Sequence, residues 1–82
     1  MKILISIHDS KAETWSLPVC LDNKAVALRQ FSDLVSDGRT LVGLHFSDFD
    51  LWKVGEFDDL TGVVSSSVPE HLANGSDVKS KE

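Results

Sequence analysis

The chain has no tyrosine and a single cysteine, Cys20, among its 82 residues. One thiol cannot close an intrachain disulfide, and a lone thiol suits a reducing cytosol. No run of about 18 apolar residues occurs, so no membrane span is expected. The opening Met1–Ile7 segment is too short and too regularly alternating for a signal peptide. Cations are scarce as well, with 8 Lys and Arg against 13 Asp and Glu, for a net charge of −5. That balance weighs against a strongly basic nucleic-acid binder, although a local patch could still carry binding. Also missing are a phosphate loop, a nucleophile elbow, a metal-ligand cluster and an acid/base pair. The chain is therefore expected not to be an enzyme and to use no cofactor and no metal. Asp58-Asp59 comes nearest to paired carboxylates, but neighbouring residues on a turn diverge. His45 with Asp48 offers two metal ligands at most, where a site needs three or four.

Eighty-two residues make one domain. A chain this short buries only about 60% of its unfolded surface, so its core is thin and association would help it. Residues 2–8 alternate: Ile3, Ile5 and Ile7 point one way, while Lys2, Leu4, Ser6 and His8 point the other. Asp9-Ser10-Lys11 opens a turn. Trp15 follows among polar residues, either as a cap on the core or as an exposed stacking platform. Leu17–Leu21 is apolar, and Pro18 confines it to an edge strand, expected antiparallel to the first. Cys20 reads as a small core residue.

One helix is expected from Asn23 to Ser36. Ala27, Leu28, Phe31, Leu34 and Val35 form its apolar stripe, and Val26 falls on the polar side. Asp37-Gly38 ends it, with Gly38 expected in the left-handed cap position. Arg39–Asp48 reads as a short strand or as a loop with one helical turn. Leu51–Phe57 has strand composition and returns through Asp58–Gly62, where Gly62 suits a positive φ, into Val63-Val64. A β-bulge at Gly55-Glu56 would place Trp52, Val54 and Phe57 together on the core face and point Lys53 outward.

The expected fold class is α+β: a small antiparallel sheet of three or four strands with one helix packed on one face. Residues 1–67 form the domain in this reading. Residues 68–82 are polar and small, and they read as a flexible C-terminal tail.

Four short stretches carry a resemblance. They are the N-terminal strand running into Asp9-Ser10-Lys11-Ala12-Glu13; Leu17-Pro18 leading to the helix with Lys24, Ala27, Arg29 and Phe31; Asp48-Phe49 before Leu51; and Val54–Asp59 followed by Thr61-Gly62. In order and spacing they resemble the small nonstructural protein of gokushoviruses, microvirus-like bacteriophages with single-stranded DNA genomes. The family pattern has His-Pro before the acidic-aromatic pair, where this chain has His45-Phe46-Ser47. The resemblance implies a DNA-replication protein made in the host bacterial cytoplasm, and it assigns no catalytic residue.

From these features the leading expectation is a module that binds single-stranded DNA in phage replication or packaging. Such modules combine stacking with phosphate contacts. The candidate DNA-binding residues are Lys11, Trp15, Lys24, Arg29, Arg39 and Lys53, with Phe46 and Phe49 as further stackers and Trp52 assigned to the core. Other expected partners are copies of the same chain and phage or host replication proteins, with no membrane. The alternative is a protein–protein adaptor contacting the phage initiator, host replication machinery or procapsid.

Overall fold

The structure, a computed structural model, describes residues 1–81. The elements are β1 (Lys2–Asp9), β2 (Thr14–Trp15), β3 (Val19–Leu21), α1 (Lys24–Ser36), α2 (Leu41–Leu44), β4 (Phe49–Phe57), β5 (Val64–Asn74) and α3 (Gly75–Ser80), with a 3₁₀ turn at Phe46–Asp48. All strand pairings are antiparallel. The sheet runs β2-β1-β4-β5, and β3 shares with β2 the outer side of β1. The expected α+β class holds. The sheet has five strands rather than three or four because Ser16-Leu17-Pro18 breaks one edge into two pieces.

The isoleucine row decides which face is covered. Ile3 and Ile5 are buried with Phe49 and Leu51 of β4 and with Ala27, Phe31 and Val35 of α1. Burying each larger side chain contributes roughly 1.5–3 kcal/mol before entropy. Asn23 caps α1, its side-chain oxygen accepting from the Val26 amide at 3.0 Å. At the other end Gly38 is not left-handed: among the described residues only Glu13 and Gly62 have positive φ. Thr40 does the capping instead. Its hydroxyl donates to the carbonyls of Leu34 and Asp37 and accepts from the Gly43 amide, so it ends α1 and starts α2. Residues 39–48 thus follow the looped alternative, with a short helix and a 3₁₀ turn.

The hairpin turn forms as its residues require. Gly62 has φ 78°, its amide donates to the Asp58 carbonyl at 2.7 Å, and the Asp58 side chain accepts from Leu60 at 2.9 Å. The bulge lies one residue earlier than expected. Leu4 pairs Gly55 and Ile5 pairs Lys53, which leaves Val54 as the extra residue. Trp52 and Phe57 do share a face, but it is the one without helices. The core is filled by Phe49 and Leu51, because Ile7 stands opposite Leu51. Phe49 is therefore buried and cannot stack on a base. Lys53 shares the helix side with Ile5 and is half-buried rather than outward. Cys20, opposite Leu4, is exposed.

Residues 68–81 correct the expected tail. Val64–Asn74 is one strand along β4, and α3 follows it. Leu72, Ala73 and Val78 pack against the core. Gly75 allows this docking: a Cβ there would run into the Phe46 carbonyl. Serine-rich composition hid a strand whose order comes from a distant partner. Glu82, the last residue of the expected tail, lies outside the described residues.

Candidate nucleic-acid interface on the helix-free face

Directly opposed residues of an antiparallel pair share a face. The register therefore assigns Leu4, Ser6 and His8 of β1, Trp15 of β2, Asp50, Trp52 and Phe57 of β4, and His71 and Asn74 of β5 to the side away from α1. The β1–β2 turn sets Trp15 beside His8. Asp9 Oδ1 accepts from the amides of Lys11 at 3.0 Å and Ala12 at 3.2 Å, and Glu13 turns the chain with φ 57°. Ser16 then holds the broken edge: its hydroxyl accepts from the Ile7 amide at 2.9 Å, and its carbonyl accepts from the Ser6 hydroxyl at 2.7 Å.

The rings on this face form a row. His8 and Trp15 have centroids 4.6 Å apart, Trp15 and Trp52 5.7 Å, and Trp52 and His71 5.0 Å. Such edge and tilted contacts are the geometries aromatic quadrupoles favour. At its end, Asp50 Oδ1 accepts from Asn74 Nδ2 and meets His71 Nε2, both at 2.9 Å. A carboxylate only accepts, so His71 carries a hydrogen on Nε2. Trp52 Nε1 is buried and has no partner among the described residues. No pocket opens among those residues, so a ligand would meet an open surface.

Charge is divided between the two sides. Of the strand residues that the register places on the ring-bearing face, Asp50 is the one acid. Glu56 and Glu70 lie on the helix side, opposite Ile3 and Lys53. There Lys24 meets Glu70 at 2.7 Å, and Lys53 meets Glu56 at 3.7 Å. Lys24 holds the Glu70 carboxyl below its usual range, chiefly by its hydrogen bond. Arg39 does the same to Asp37, which it grips at 2.9 and 3.0 Å. Lys2, at the margin of the ring-bearing face, pairs with Asp22.

A family model described as Phage ORF5 protein matches residues 2–78. The chain belongs to this phage protein family. No curated protein and no solved structure matches it. The family match spans every strand and most of α3, so the whole ring row lies within it.

Of the six residues singled out in the sequence, the fold brings Lys11 and Trp15 together on the β1–β2 hairpin. Lys24 and Lys53 lie on the opposite side of the sheet around Glu70. Arg29 is exposed on α1, and Arg39 is tied to Asp37 beyond that helix. Lys11 and Arg29 have no ion pair among the described residues. Phe46 is half-buried, with the Lys79 ammonium 5.9 Å from its ring centre. Sequence reasoning missed Trp52, His8, His71, Asp50 and Asn74 as a group. The alternation that put His8 opposite the isoleucines was a signal for one of them. Joining it to Trp52 and His71 required the register. No helix among the described residues is long and apolar enough to cross a membrane.

Proposed function

We propose that this phage protein is a non-enzymatic accessory factor that holds single-stranded DNA on the helix-free face of its sheet. The observation that carries this reading is the row His8–Trp15–Trp52–His71 on a surface with a single strand carboxylate, in a molecule of net charge −5. Unpaired bases expose their faces to stacking, which is worth about 1–3 kcal/mol per base and tolerates any sequence. Trp15 is the anchor, being half exposed, and Lys11 on the same hairpin is the phosphate contact. Duplex DNA hides its base faces, so it should bind less. The setting we propose is genome replication or packaging in the host bacterial cytoplasm, in a phage of the gokushovirus kind that the sequence resembles, with a bias toward single-strand synthesis.

The test is a titration of the protein with single- and double-stranded oligonucleotides across salt concentrations. One or two neutralised phosphates give a shallow log–log slope of about −1, at ~0.7 per phosphate. Single strands should bind more tightly than duplexes. Absence of binding at low salt would overturn the reading. The adaptor function would then take its place, favoured by the net charge of −5. Pull-down of a phage initiator, a host replication protein or the procapsid would then decide it.

A further inference from the structure

The two edges of the sheet are built differently. One is β2 and β3, pieces of 2 and 3 residues parted at Ser16-Leu17-Pro18. Brevity and proline are how natural sheets guard an edge against pairing with another chain. The other edge is β5, 11 residues long, with no strand on its outer side among the described residues. It is guarded only in its middle. Between the pairs Lys53–Glu70 and Gly55–Ser66, three residues of β5, Ser67-Val68-Pro69, oppose Val54 alone. Ahead of that bulge, Val64–Ser66 is paired strand with no charge and no proline.

This stretch sits in an unusual surface. Residues 59–71 form the longest exposed run in the described chain, and within it Leu60–Pro69 is the longest run of the sequence without a charged residue. Leu60 is 94% exposed and Val68 88%, and Val63 and Val64 are exposed too. Four exposed aliphatic side chains on one uncharged stretch, beside an unpaired strand edge, mark an interaction surface.

We propose that β5 pairs antiparallel with β5 of a second copy of the chain, through the Val64–Ser67 edge. A second copy brings the same unguarded edge strand, whose backbone complements itself when antiparallel, and charge permits the approach. Two molecules of net charge −5 repel unless they meet on neutral surface, and Leu60–Pro69 supplies it. The unguarded backbone supplies the hydrogen bonds, and Pro69, which has no amide hydrogen, ends the ladder. Symmetry fixes the result. A two-fold axis that sets two copies of one edge strand antiparallel stands perpendicular to the sheet. Both α1 helices then lie on one side and both ring rows on the other. The contact is isologous and closes on itself, and the broken β2/β3 edges stop further growth. The pairing does not depend on the DNA reading. Its consequence does: two ring rows on one continuous face would bind a single strand bivalently.

The test is sedimentation of the full chain across the micromolar range. The mass should rise from 9.0 kDa toward twice that value. The double variant Ser65→Lys with Ser67→Lys should stay monomeric with an unchanged far-UV spectrum, although its smaller net charge would by itself favour association. Gln30→Lys with Ser36→Lys, the same charge change on exposed positions of α1, should associate like wild type. In the wild-type protein, amide exchange at Val64–Ser67 should slow as concentration rises. A wild-type monomer throughout, even one that captures an extended apolar peptide, overturns the proposal. So does a dimer that survives the edge lysines, an exchange rate indifferent to concentration, or growth beyond the dimer.

Discussion

The two faces of the sheet carry different kinds of side chain for different ends. On the helix side Ile3, Ile5, Phe49 and Leu51 interlock with Ala27, Phe31 and Val35 and leave almost no accessible surface. On the other side Trp15, Trp52, His8 and His71 lie against one another in tilted and edge contacts, on the face turned away from α1. The first face consists of aliphatic and phenyl groups, which gain by dense packing. The second consists of indoles and imidazoles, whose rings can meet a ligand where they are exposed, as Trp15 and His71 are. Stability and recognition are thereby assigned to opposite sides of one layer of backbone, and substitutions should separate them.

The largest effect tests where the packed face ends. Deleting residues 69–82 removes Leu72, Ala73 and Val78 from the core and half of β5 from β4. We expect no cooperative thermal transition in the truncated chain. A sharp melt close to that of the full chain would show that the C-terminal segment is dispensable. Next comes Phe31→Ala, which empties the centre of the packed face. It should cost about 3–5 kcal/mol in denaturant unfolding and leave DNA affinity unchanged under conditions where the variant is folded. The mirror experiment is Trp15→Ala. Single-strand affinity should fall by about 1–3 kcal/mol, while the melting temperature moves little, because Trp15 is half exposed. Equal effects of both variants on both properties would abolish the distinction between the faces.

The smallest effect is electrostatic and belongs to the rims. Hydrogen bonds from the Leu60 and Thr61 amides hold the Asp58 carboxyl below its usual range, and Arg39 and Lys24 do so for Asp37 and Glu70. A carboxyl whose folded pKa is depressed favours the fold above its unfolded value, about 4. That contribution is lost as pH falls from there through the lowered folded values. Melting temperature should therefore decline below about pH 4, and Asp58→Asn should flatten part of the decline. These groups stand at the surface, so the effect should shrink in salt.

Features set by neighbours in sequence were legible before the structure. Asn23 accepts from an amide three residues on, Asp58 and Gly62 make their own turn, and Ile3, Ile5 and Ile7 declare a buried row by alternation. Features set by register were not. Trp52 and Leu51 are adjacent and equally apolar, and only pairing with Ile7 and Ser6 decides which one enters the core. His71 reaches Trp52 because the β4–β5 register shifts between Leu51 and Trp52, which no local pattern announces. The Ser-rich stretch after Val64 looked too polar to order itself, and alone it is; its order comes from β4. Of the candidate site, Lys11 and Trp15 were visible as a pair close in sequence. The cations Lys24, Lys53 and Arg39 were visible too, but their acidic partners were not.

The claim that the helix-free face is the one that meets DNA can be tested residue by residue. In a heteronuclear NMR titration with a short single-stranded oligonucleotide, the indole N–H signals of Trp15 and Trp52 and the side-chain signals of His8, His71 and Asn74 should shift together. Those of α1, including the guanidinium of Arg29, should stay in place. Shifts centred on Arg29 and Lys24, with the indole signals unmoved, would contradict the account.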